Sequence, residues 1–274
     1  MPSSSLDILA IAAHRDDVEQ TCGGTLLKMA ELGHRTGILD LTRGEMGTRG
    51  SAADREREAL EAAKILQVSW REALDIPDGR VENTWENRLK VAQVIRRTRP
   101  RVVILPYWEG RHPDHYTASK LGYEACFLAG LAKLDVQRAL SSEHSAFSQV
   151  ASAVASVVAG EKQHGGTHAG ETLTPHRPFK IIYATLYYDV RPTFVVEITE
   201  QFETRFESLM AYKSQFSDQE AGKDIFPARA EMRARIESMA RFYGMMAGVT
   251  YAEPFLQKEV GLIEDVAAIP VKSI

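Results

Sequence analysis

The sequence predicts an α/β fold in which a mostly parallel sheet is flanked by helices, with an insertion before the C-terminal strands and helices. Short aliphatic and β-branched runs recur along the chain, which is typical of strands that are buried on both faces. Segments with apolar residues at helical spacing lie between these runs, and this alternation favours parallel pairing. The 274 residues suffice for one α/β domain, or for one domain with a small appendage. We expect a single domain spanning residues 1–274.

Six strands are predicted from the apolar runs. The first and fourth are the clearest, because each ends in a polar loop, and Pro77-Asp78-Gly79 ends the third with a turn signal. The predicted strands are Leu6–Ala13, Thr36–Leu41, Trp70–Ile76, Val102–Pro106, Phe179–Tyr188 and Thr193–Ile198.

Six helices are predicted from residues at helical spacing. Gly33 follows the first of them, where glycine is a natural C-cap. The predicted helices are Val18–Leu32, Ala52–Leu66, Trp85–Thr98, Asp114–Leu134, Glu200–Phe216 and Ala228–Met246.

The segment of about 139–175 differs from the rest in composition. It is rich in Ser, Ala, Gly and His and has few large apolar residues, which predicts a flexible insertion. Within it, Val150–Ala159 is compatible with a helix that packs against a partner subunit. The sequence pattern of the C-terminal tail, about residues 254–274, indicates no role for it.

Composition excludes several classes of function. The chain is 44% hydrophobic and 26% charged with a net charge of -4, which is ordinary for a globular protein and unlike a nucleic-acid binder. It has no run of about 18 apolar residues and no signal-peptide pattern, so we expect a cytoplasmic protein that binds no membrane. Cys22 and Cys126 both lie in predicted helices, so any metal must be held by His and carboxylate side chains.

Two polar motifs follow the first and fourth predicted strands. His14 and Asp17 lie after the first strand, and His115 lies after the fourth. Because ligands in open α/β sheets bind outside the carboxyl ends of the strands, the two motifs are expected to face each other. Two imidazoles and one carboxylate leave coordination positions open for water and substrate, as a hydrolytic Zn²⁺ or a non-haem Fe²⁺ requires.

Three neighbouring residues supply acid and base groups. Asp16, beside a ligand but not needed as one, is the predicted general base. His112 is the predicted acid or oxyanion stabiliser, and Asp114 is placed to hold an imidazole in one tautomer. Each motif taken alone also has a structural explanation, since Asp at a helix start is a common N-cap and Pro is common in the first helical turn. Their occurrence after two predicted parallel strands favours a site.

The motifs resemble a known family. The stretches His14-x-Asp16-Asp17, Gly47-Thr48-Arg49-Gly50 and His112-Pro113-Asp114-His115 resemble the LmbE-like (PIG-L) family of metal-dependent N-acetylglucosaminyl deacetylases. Further stretches resemble the bacillithiol-biosynthesis branch: Asp40–Glu45, Pro77–Gly79, Arg111–His115, His176–Pro178, Tyr212–Phe216 and Tyr251–Glu253.

This resemblance implies a Rossmann-like fold, a catalytic Zn²⁺, with Fe²⁺ as the other candidate, and hydrolysis of the acetamide of N-acetylglucosaminyl malate. It further implies a small-molecule amino-sugar substrate and a homo-oligomer. The implied roles are metal ligands for His14, Asp17 and His115, general base for Asp16, second catalytic group for His112 with Asp114 as its orienter, and substrate contacts for Arg55, Arg111 and Arg177. Several arginines at one pocket suit the two carboxylates of malate.

The residue at position 15 is one departure from the family pattern, and two other functions stay open. Arg15 stands where the family most often has Pro, and we expect its side chain to point to solvent. One alternative is deacetylation of a different N-acetylglucosaminide. The other is a catalytically silent protein that binds sugar or metal on the same fold, since fold alone does not determine function.

Overall fold

A seven-stranded sheet forms the centre of the described structure. The computed structural model describes residues 5–141, 173–185, 190–216 and 228–268. The strand order is β3-β2-β1-β4-β5-β7-β6. The five strands from β3 to β5 in this order pair in parallel with one another, whereas β7 is antiparallel to both β5 and β6. The strands are β1 Ile8–Ala12, β2 Thr36–Asp40, β3 Trp70–Ala73, β4 Val102–Pro106, β5 Lys180–Ala184, β6 Phe194–Glu197 and β7 Ala252–Leu256.

Helices cover both faces of this sheet. They are α1 Asp17–Thr21, α2 Gly23–Glu31, α3 Ala52–Ile65, α4 Trp85–Thr98, α5 Pro113–Ala129, α6 Phe202–Met210, α7 Lys213–Phe216 and α8 Arg229–Met246. Along β1, Leu9 and Ile11 belong to the apolar core on the side of α4 and α5, while Ala10 and Ala12 belong to the core on the side of α1 and α2. The alternation follows from the two-residue period of a strand. The predicted α/β fold class is confirmed.

The helix predicted over Val18–Leu32 is two helices that meet at Cys22. Arg205 donates to the carbonyls of Glu19 and Gln20 at the end of α1. Glu253 accepts from the backbone N–H groups of residues 24 and 25 at the start of α2, at 2.9 and 2.7 Å. Arg205 and Glu253 also form an ion pair at 3.0 Å, so one buried pair satisfies both helix ends at the break. These partners are far away in sequence, so helical periodicity alone does not indicate the break.

The C-terminal tail contains a strand that the sequence pattern does not predict. β7 lies between β5 and β6, and its Pro254 is opposite Val195. Proline within a short apolar run argues against a strand, which is why the pattern does not indicate one here.

Other predicted bounds also differ from the structure. The predicted helix Asp114–Leu134 ends at Ala129, and Glu200–Phe216 is divided into α6 and α7. Val150–Ala159, most of the predicted insertion, and the end of the predicted strand Phe179–Tyr188 lie outside the described residues.

No helix in the described part of the chain is long and apolar enough to cross a membrane.

A buried arginine joins three elements beneath the loop between β1 and α1. Arg71 on β3 forms ion pairs with Glu19 on α1 at 2.7 Å and with Asp40 on β2 at 2.9 Å. It also donates to the backbone carbonyl of Arg15, and so does the hydroxyl of Tyr212. Burial raises the pKa of Glu19 to about 7, although the charge of Arg71 acts in the opposite direction. The loop that carries residues 14–17 is therefore fixed by charged groups that are almost fully buried.

Substituting Arg71 with Met should destabilise the protein strongly. The change leaves two buried carboxylates without their counter-ion, which costs roughly 3–5 kcal/mol of unfolding free energy. Arg57→Met is the matched control, because the Arg57 side chain is 72% exposed in its pair with Asp54 and such pairs contribute about 0–1 kcal/mol. Urea unfolding of the two variants measures the difference. Equal loss in both would contradict the role assigned to Arg71.

Candidate active site

The two predicted motifs meet at the carboxyl edge of the sheet. His14 lies two residues after β1, and His112 and His115 lie at the start of α5, which follows β4. β1 and β4 are adjacent parallel strands, with Ala10 opposite Ile104. Strand order reverses between them, and this is where open α/β sheets form ligand crevices. The pairing of β1 and β4 therefore brings together motifs that are about a hundred residues apart.

The three predicted metal ligands present their donor atoms to one another. Nδ1 of His14 lies 3.2 Å from Nε2 of His115. Asp17 places Oδ2 at 3.5 Å from Nδ1 of His14 and Oδ1 at 3.2 Å from Nε2 of His115. Asp17 Oδ2 also accepts from the backbone N–H of His14 at 2.9 Å, so the turn at the start of α1 fixes the carboxylate.

The other ring nitrogen of His14 faces two more carboxylates. Nε2 lies 3.2 Å from Oδ1 of Asp78 and 3.3 Å from Oδ2 of Asp114. Asp114 is itself held by the backbone N–H groups of Gly79 and Val81, at 2.8 and 3.1 Å. The expectation that Asp114 orients His112 is therefore corrected, because its carboxylate contacts His14. The reason is that the loop after β3 holds the Asp114 carboxylate through these two backbone N–H groups, on the side where it meets His14.

Asp78 is a site residue to which sequence reasoning assigns no role of its own. It belongs to the stretch Pro77–Gly79, which predicts a turn and is one of the stretches that resemble the bacillithiol-biosynthesis branch. The signal that indicates more is an acidic residue at the carboxyl end of a third strand, near the strands that carry the two motifs. Its two contacts, to His14 and to the backbone N–H of Met46, arise only in the folded chain.

These contacts determine the charge of the cluster. Burial lowers the pKa of His14, but the charge of Asp17 and the hydrogen bonds of Asp114, Asp17 and Asp78 raise it to about 12. Burial also lowers the pKa of His115, but Asp17 outweighs it and raises the value above the ordinary one. The pKa of Asp17 lies well below its usual range, because the two imidazoles outweigh the effect of burial. Without a metal, His14 therefore holds its proton at neutral pH, and His115 is protonated more readily than a free imidazole.

The predicted base is held by an arginine that is expected to bind substrate. Oδ1 of Asp16 accepts from Nη2 of Arg55 at 2.7 Å, and Oδ2 accepts from Gln20 at 3.1 Å. The guanidinium passes over Gly44, where a Cβ atom would lie 2.9 Å from Nη1 of Arg55. Gly44 also has φ +69°, so a side chain there is disfavoured on both counts. Arg55 therefore contacts the base directly.

His112 lies against the two other histidines. Its ring centroid is 4.7 Å from that of His14 and 4.8 Å from that of His115. Burial and the neighbouring imidazoles lower its pKa, so it is neutral at pH 7. Nδ1 accepts from the backbone N–H of Asp114 at 3.2 Å, so the proton of the neutral ring is assigned to Nε2.

The remaining predicted arginines differ in position. Arg111 is exposed and directly precedes His112. Arg177 stacks its guanidinium over Phe127 at 4.8 Å, near the end of α5. Because a helix rises about 1.5 Å per residue, Phe127 lies about 18 Å from His115 along α5. The structure does not bring Arg177 to this cluster, since it precedes β5 and so lies at the amino edge of the sheet.

The expectation that Arg15 points to solvent is wrong. The residue is only 4% exposed, and its Nη1 donates to the carbonyl of Ala52 at 3.2 Å. Its own carbonyl is held by Arg71 and Tyr212, and its side chain lies beneath the loop.

A small cavity adjoins Asp17 and His115. Its volume is about 30 Å³. Most of its wall is apolar, and the apolar lining includes Ala12, Val18, Cys22, Ile104 and Ala184. A single water needs roughly 10–15 Å³ measured in this way, so the space accommodates a methyl-sized group.

Known proteins share these features. A model of the family described as PIG-L: GlcNAc-PI de-N-acetylase matches residues 9–126, which include both motifs. The diacetylchitobiose deacetylase of Thermococcus kodakarensis is 30% identical over 257 residues, which cover 90% of this chain and 80% of that protein. The chain belongs to the PIG-L/LmbE-like deacetylase family. It is therefore an enzyme, a hydrolase of the deacetylase class.

Solved structures agree with this assignment. The conserved protein TT1542 from Thermus thermophilus has a TM-score of 0.72 and 36% identity, covering 94% of this chain and 98% of that chain. The N,N'-diacetylchitobiose deacetylase from Pyrococcus horikoshii has a TM-score of 0.69 and 25% identity, covering 90% of this chain and 82% of that chain. The likeness extends beyond residues 9–126 to nearly the whole chain.

The deacetylases of this family depend on a metal, and the donor set here fits one. Ligand atoms about 2.0–2.1 Å from a tetrahedral Zn²⁺ lie about 3.3–3.4 Å from one another. Nδ1 of His14 and Nε2 of His115 are 3.2 Å apart, and Asp17 places one oxygen 3.5 Å from the first nitrogen and its other oxygen 3.2 Å from the second. Among the described residues, two groupings bring one donor atom from each member within 4.8 Å of one another: His14 with His112 and His115, and His14 with Asp78 and Asp114. The first grouping shares two members with the predicted set, and the second contacts the opposite nitrogen of His14.

Replacing Asp78 with Asn should weaken metal binding without removing a proposed ligand. Loss of one carboxylate at Nε2 of His14 lowers the basicity of the ligand nitrogen, and changes to such outer partners typically cost about 10–100-fold in affinity. Competition with a chelator measures the affinity. Asp75→Asn, three residues earlier and with a side chain that is 67% exposed, is the matched control and should leave the affinity unchanged. Unchanged affinity in both variants would contradict the orienting role.

Metal binding should release protons at pH 7. His14 must lose its proton to bind a metal, and so must any protonated His115, so affinity should rise by about tenfold per pH unit for each proton released. Calorimetric titration of Zn²⁺ in buffers of different ionisation enthalpy counts the protons. His115→Ala should change the count, whereas His34→Ala, half exposed at the opposite edge of the sheet, should not. A binding enthalpy that does not depend on the buffer would contradict the protonated cluster.

Proposed function

We propose that this protein is a metal-dependent N-deacetylase of a small N-acetylglucosaminyl conjugate. The observation that carries the proposal is the convergence of the His14, Asp17 and His115 donor atoms beside the carboxylate of Asp16. The relatives named as diacetylchitobiose deacetylases support an N-acetylated amino sugar as the substrate class.

His14, Asp17 and His115 would hold the ion. Zn²⁺ is proposed, and Fe²⁺ suits the same two imidazoles and carboxylate. Such an ion, when bound, polarises the amide carbonyl and lowers the pKa of a coordinated water.

Asp16 acts as the general base. Its carboxylate takes the proton of the attacking water and returns it to the amine nitrogen as the C–N bond breaks. Arg55 and Gln20 each hold one of its two oxygens, so the base is oriented before the substrate arrives. Orientation of this kind removes part of the entropic cost of reaching the reactive geometry.

His112 stabilises the oxyanion. Its neutral ring carries a proton on Nε2, and this N–H can donate to the carbonyl oxygen as that atom gains negative charge. A neutral donor is consistent with the lowered pKa of His112. Of the two roles predicted for this residue, we therefore propose electrostatic stabilisation.

The cavity beside Asp17 and His115 limits the acyl group. Its volume of about 30 Å³ fits the methyl of an acetyl group. Val18 and Ile104 belong to its apolar wall, so a longer acyl chain would have to displace core side chains.

The proposal also names the aglycone, the group attached to the sugar. Three arginines are predicted to bind malate, but Arg55 pairs with Asp16 and Arg177 lies at the other edge of the sheet. Arg111, exposed beside His112, is the arginine that supports an acidic aglycone. N-acetylglucosaminyl malate is therefore proposed with Arg111 as its carboxylate contact.

Asp16→Asn should abolish turnover and keep the metal. The variant retains an oxygen for Arg55 but cannot accept a proton, so acetate release should fall by about 10²–10⁴-fold. Asp7→Asn, next to the amino end of β1, is the matched control and should keep full activity. Metal content is measured alongside acetate. Full turnover in Asp16→Asn would exclude Asp16 as the base.

A substrate panel tests the sugar and the aglycone together. The metal-loaded protein is assayed with N-acetylglucosaminyl malate, diacetylchitobiose and free N-acetylglucosamine. A preference for the malyl glycoside that disappears in Arg111→Met supports the acidic aglycone. Equal rates would refute it while keeping the deacetylase. Sugar binding without acetate release from any of them would instead establish the silent binding protein.

A further inference from the structure

A second cavity lies beside the loop between β1 and α1. It has a volume of about 330 Å³ and is lined by residues from this loop, β2, α3 and β3. None of its lining residues is a proposed metal ligand or a carboxylate at His14. Its charged lining residues are Arg15, Asp40, Arg43, Glu56, Arg71 and Glu72.

Arg15 is the unusual member of this lining. It is only 4% exposed, yet it forms no ion pair with any carboxylate of the described residues. Its Nε is buried and has no hydrogen-bond partner. Burying a charge that is not paired is costly, so a partner for this group is expected.

The other charges of the lining are mostly paired. Arg71 and Asp40 form a buried ion pair, and Glu72 pairs with Arg97 at 2.6 Å. The six charges of the lining sum to zero, and those of Arg15, Arg43 and Glu56 form no ion pair among the described residues. Arg43 and Glu56 are both exposed. The lining therefore offers two guanidinium groups, those of Arg15 and Arg43, that are not used in ion pairs among the described residues.

We propose that this cavity binds a small oxyanion, a phosphate or a carboxylate, with Arg15 and Arg43 as its cationic donors. A guanidinium offers planar, charge-assisted donors that match both groups. The cavity volume is within the range of small-ligand sites, about 300–1,000 Å³. The negative charge of Glu56 repels the anion and so limits the affinity of the site for it. The site differs from the deacetylase centre, because its lining includes neither Asp16 nor a proposed metal ligand.

Calorimetric titration of the metal-loaded full chain with inorganic phosphate, and in parallel with succinate, tests this site. Arg15→Met should weaken binding of the preferred probe by at least about tenfold, as loss of a charged hydrogen-bond partner predicts. Arg57→Met on the same side of the sheet is the matched control and should bind as the unchanged protein does. Comparison of the two probes decides between phosphate and carboxylate.

Two further variants separate this site from the metal cluster and from folding defects. His115→Ala removes a proposed metal ligand and should keep the oxyanion site. Glu56→Gln removes the opposing charge from an exposed position and should tighten binding several-fold. Binding that survives Arg15→Met, binding that is lost in His115→Ala, or no binding in either the unchanged protein or Glu56→Gln would overturn the proposal.

Discussion

The buried guanidinium of Arg71 fixes the loop that carries the proposed base and two of the proposed metal ligands. It lies on β3, pairs with carboxylates on α1 and β2, and donates to the backbone of Arg15. Because the group is almost fully buried, its charge would be very costly without both carboxylates, and each carboxylate would be costly without it. The loop between β1 and α1 is consequently held from below. The side chains of His14, Asp16 and Asp17 project from the opposite side of this loop, toward the crevice.

A second set of charges arranges the donor atoms in that crevice. Asp78 and Asp114 approach one nitrogen of His14, so the opposite nitrogen faces His115 and Asp17. Carboxylates in this position fix the orientation of a ligating imidazole and raise its basicity. In the metal-free protein the same carboxylates stabilise the imidazolium. The cluster is therefore organised by electrostatics in the absence of any ion, and the proposed metal would exchange with protons at a site whose geometry is already set.

Several residues that carry the family resemblance have structural roles. Arg49 donates to the carbonyl of Gln215 at 3.0 Å, and the amide of Gln215 returns a hydrogen bond to the carbonyl of Arg49 at 2.7 Å. Tyr212 reaches the carbonyl of Arg15 although the two are 197 residues apart in the chain. The Arg49–Gln215 contacts join α7 to the segment that leads into α3, and the Tyr212 contact joins the residue before α7 to the loop between β1 and α1. Arg55 on α3 is thereby held where it reaches Asp16, and the absence of a side chain at Gly44 keeps its path open.

Local sequence is enough to predict the α/β class, the strands β1 to β6 and the two motifs at which the proposed chemistry occurs. The reason is that aliphatic runs form buried strands, and polar residues at the ends of parallel strands share one edge. Long-range packing alone breaks the first helix at Cys22, makes a strand of a tail segment that contains proline, and brings Asp114 and Asp78 to His14. It also buries Arg15 and places Arg177 at the opposite edge. Each of these features depends on partners far away in the chain, whose approach is fixed by burial and charge pairing and leaves no periodic signal in the sequence.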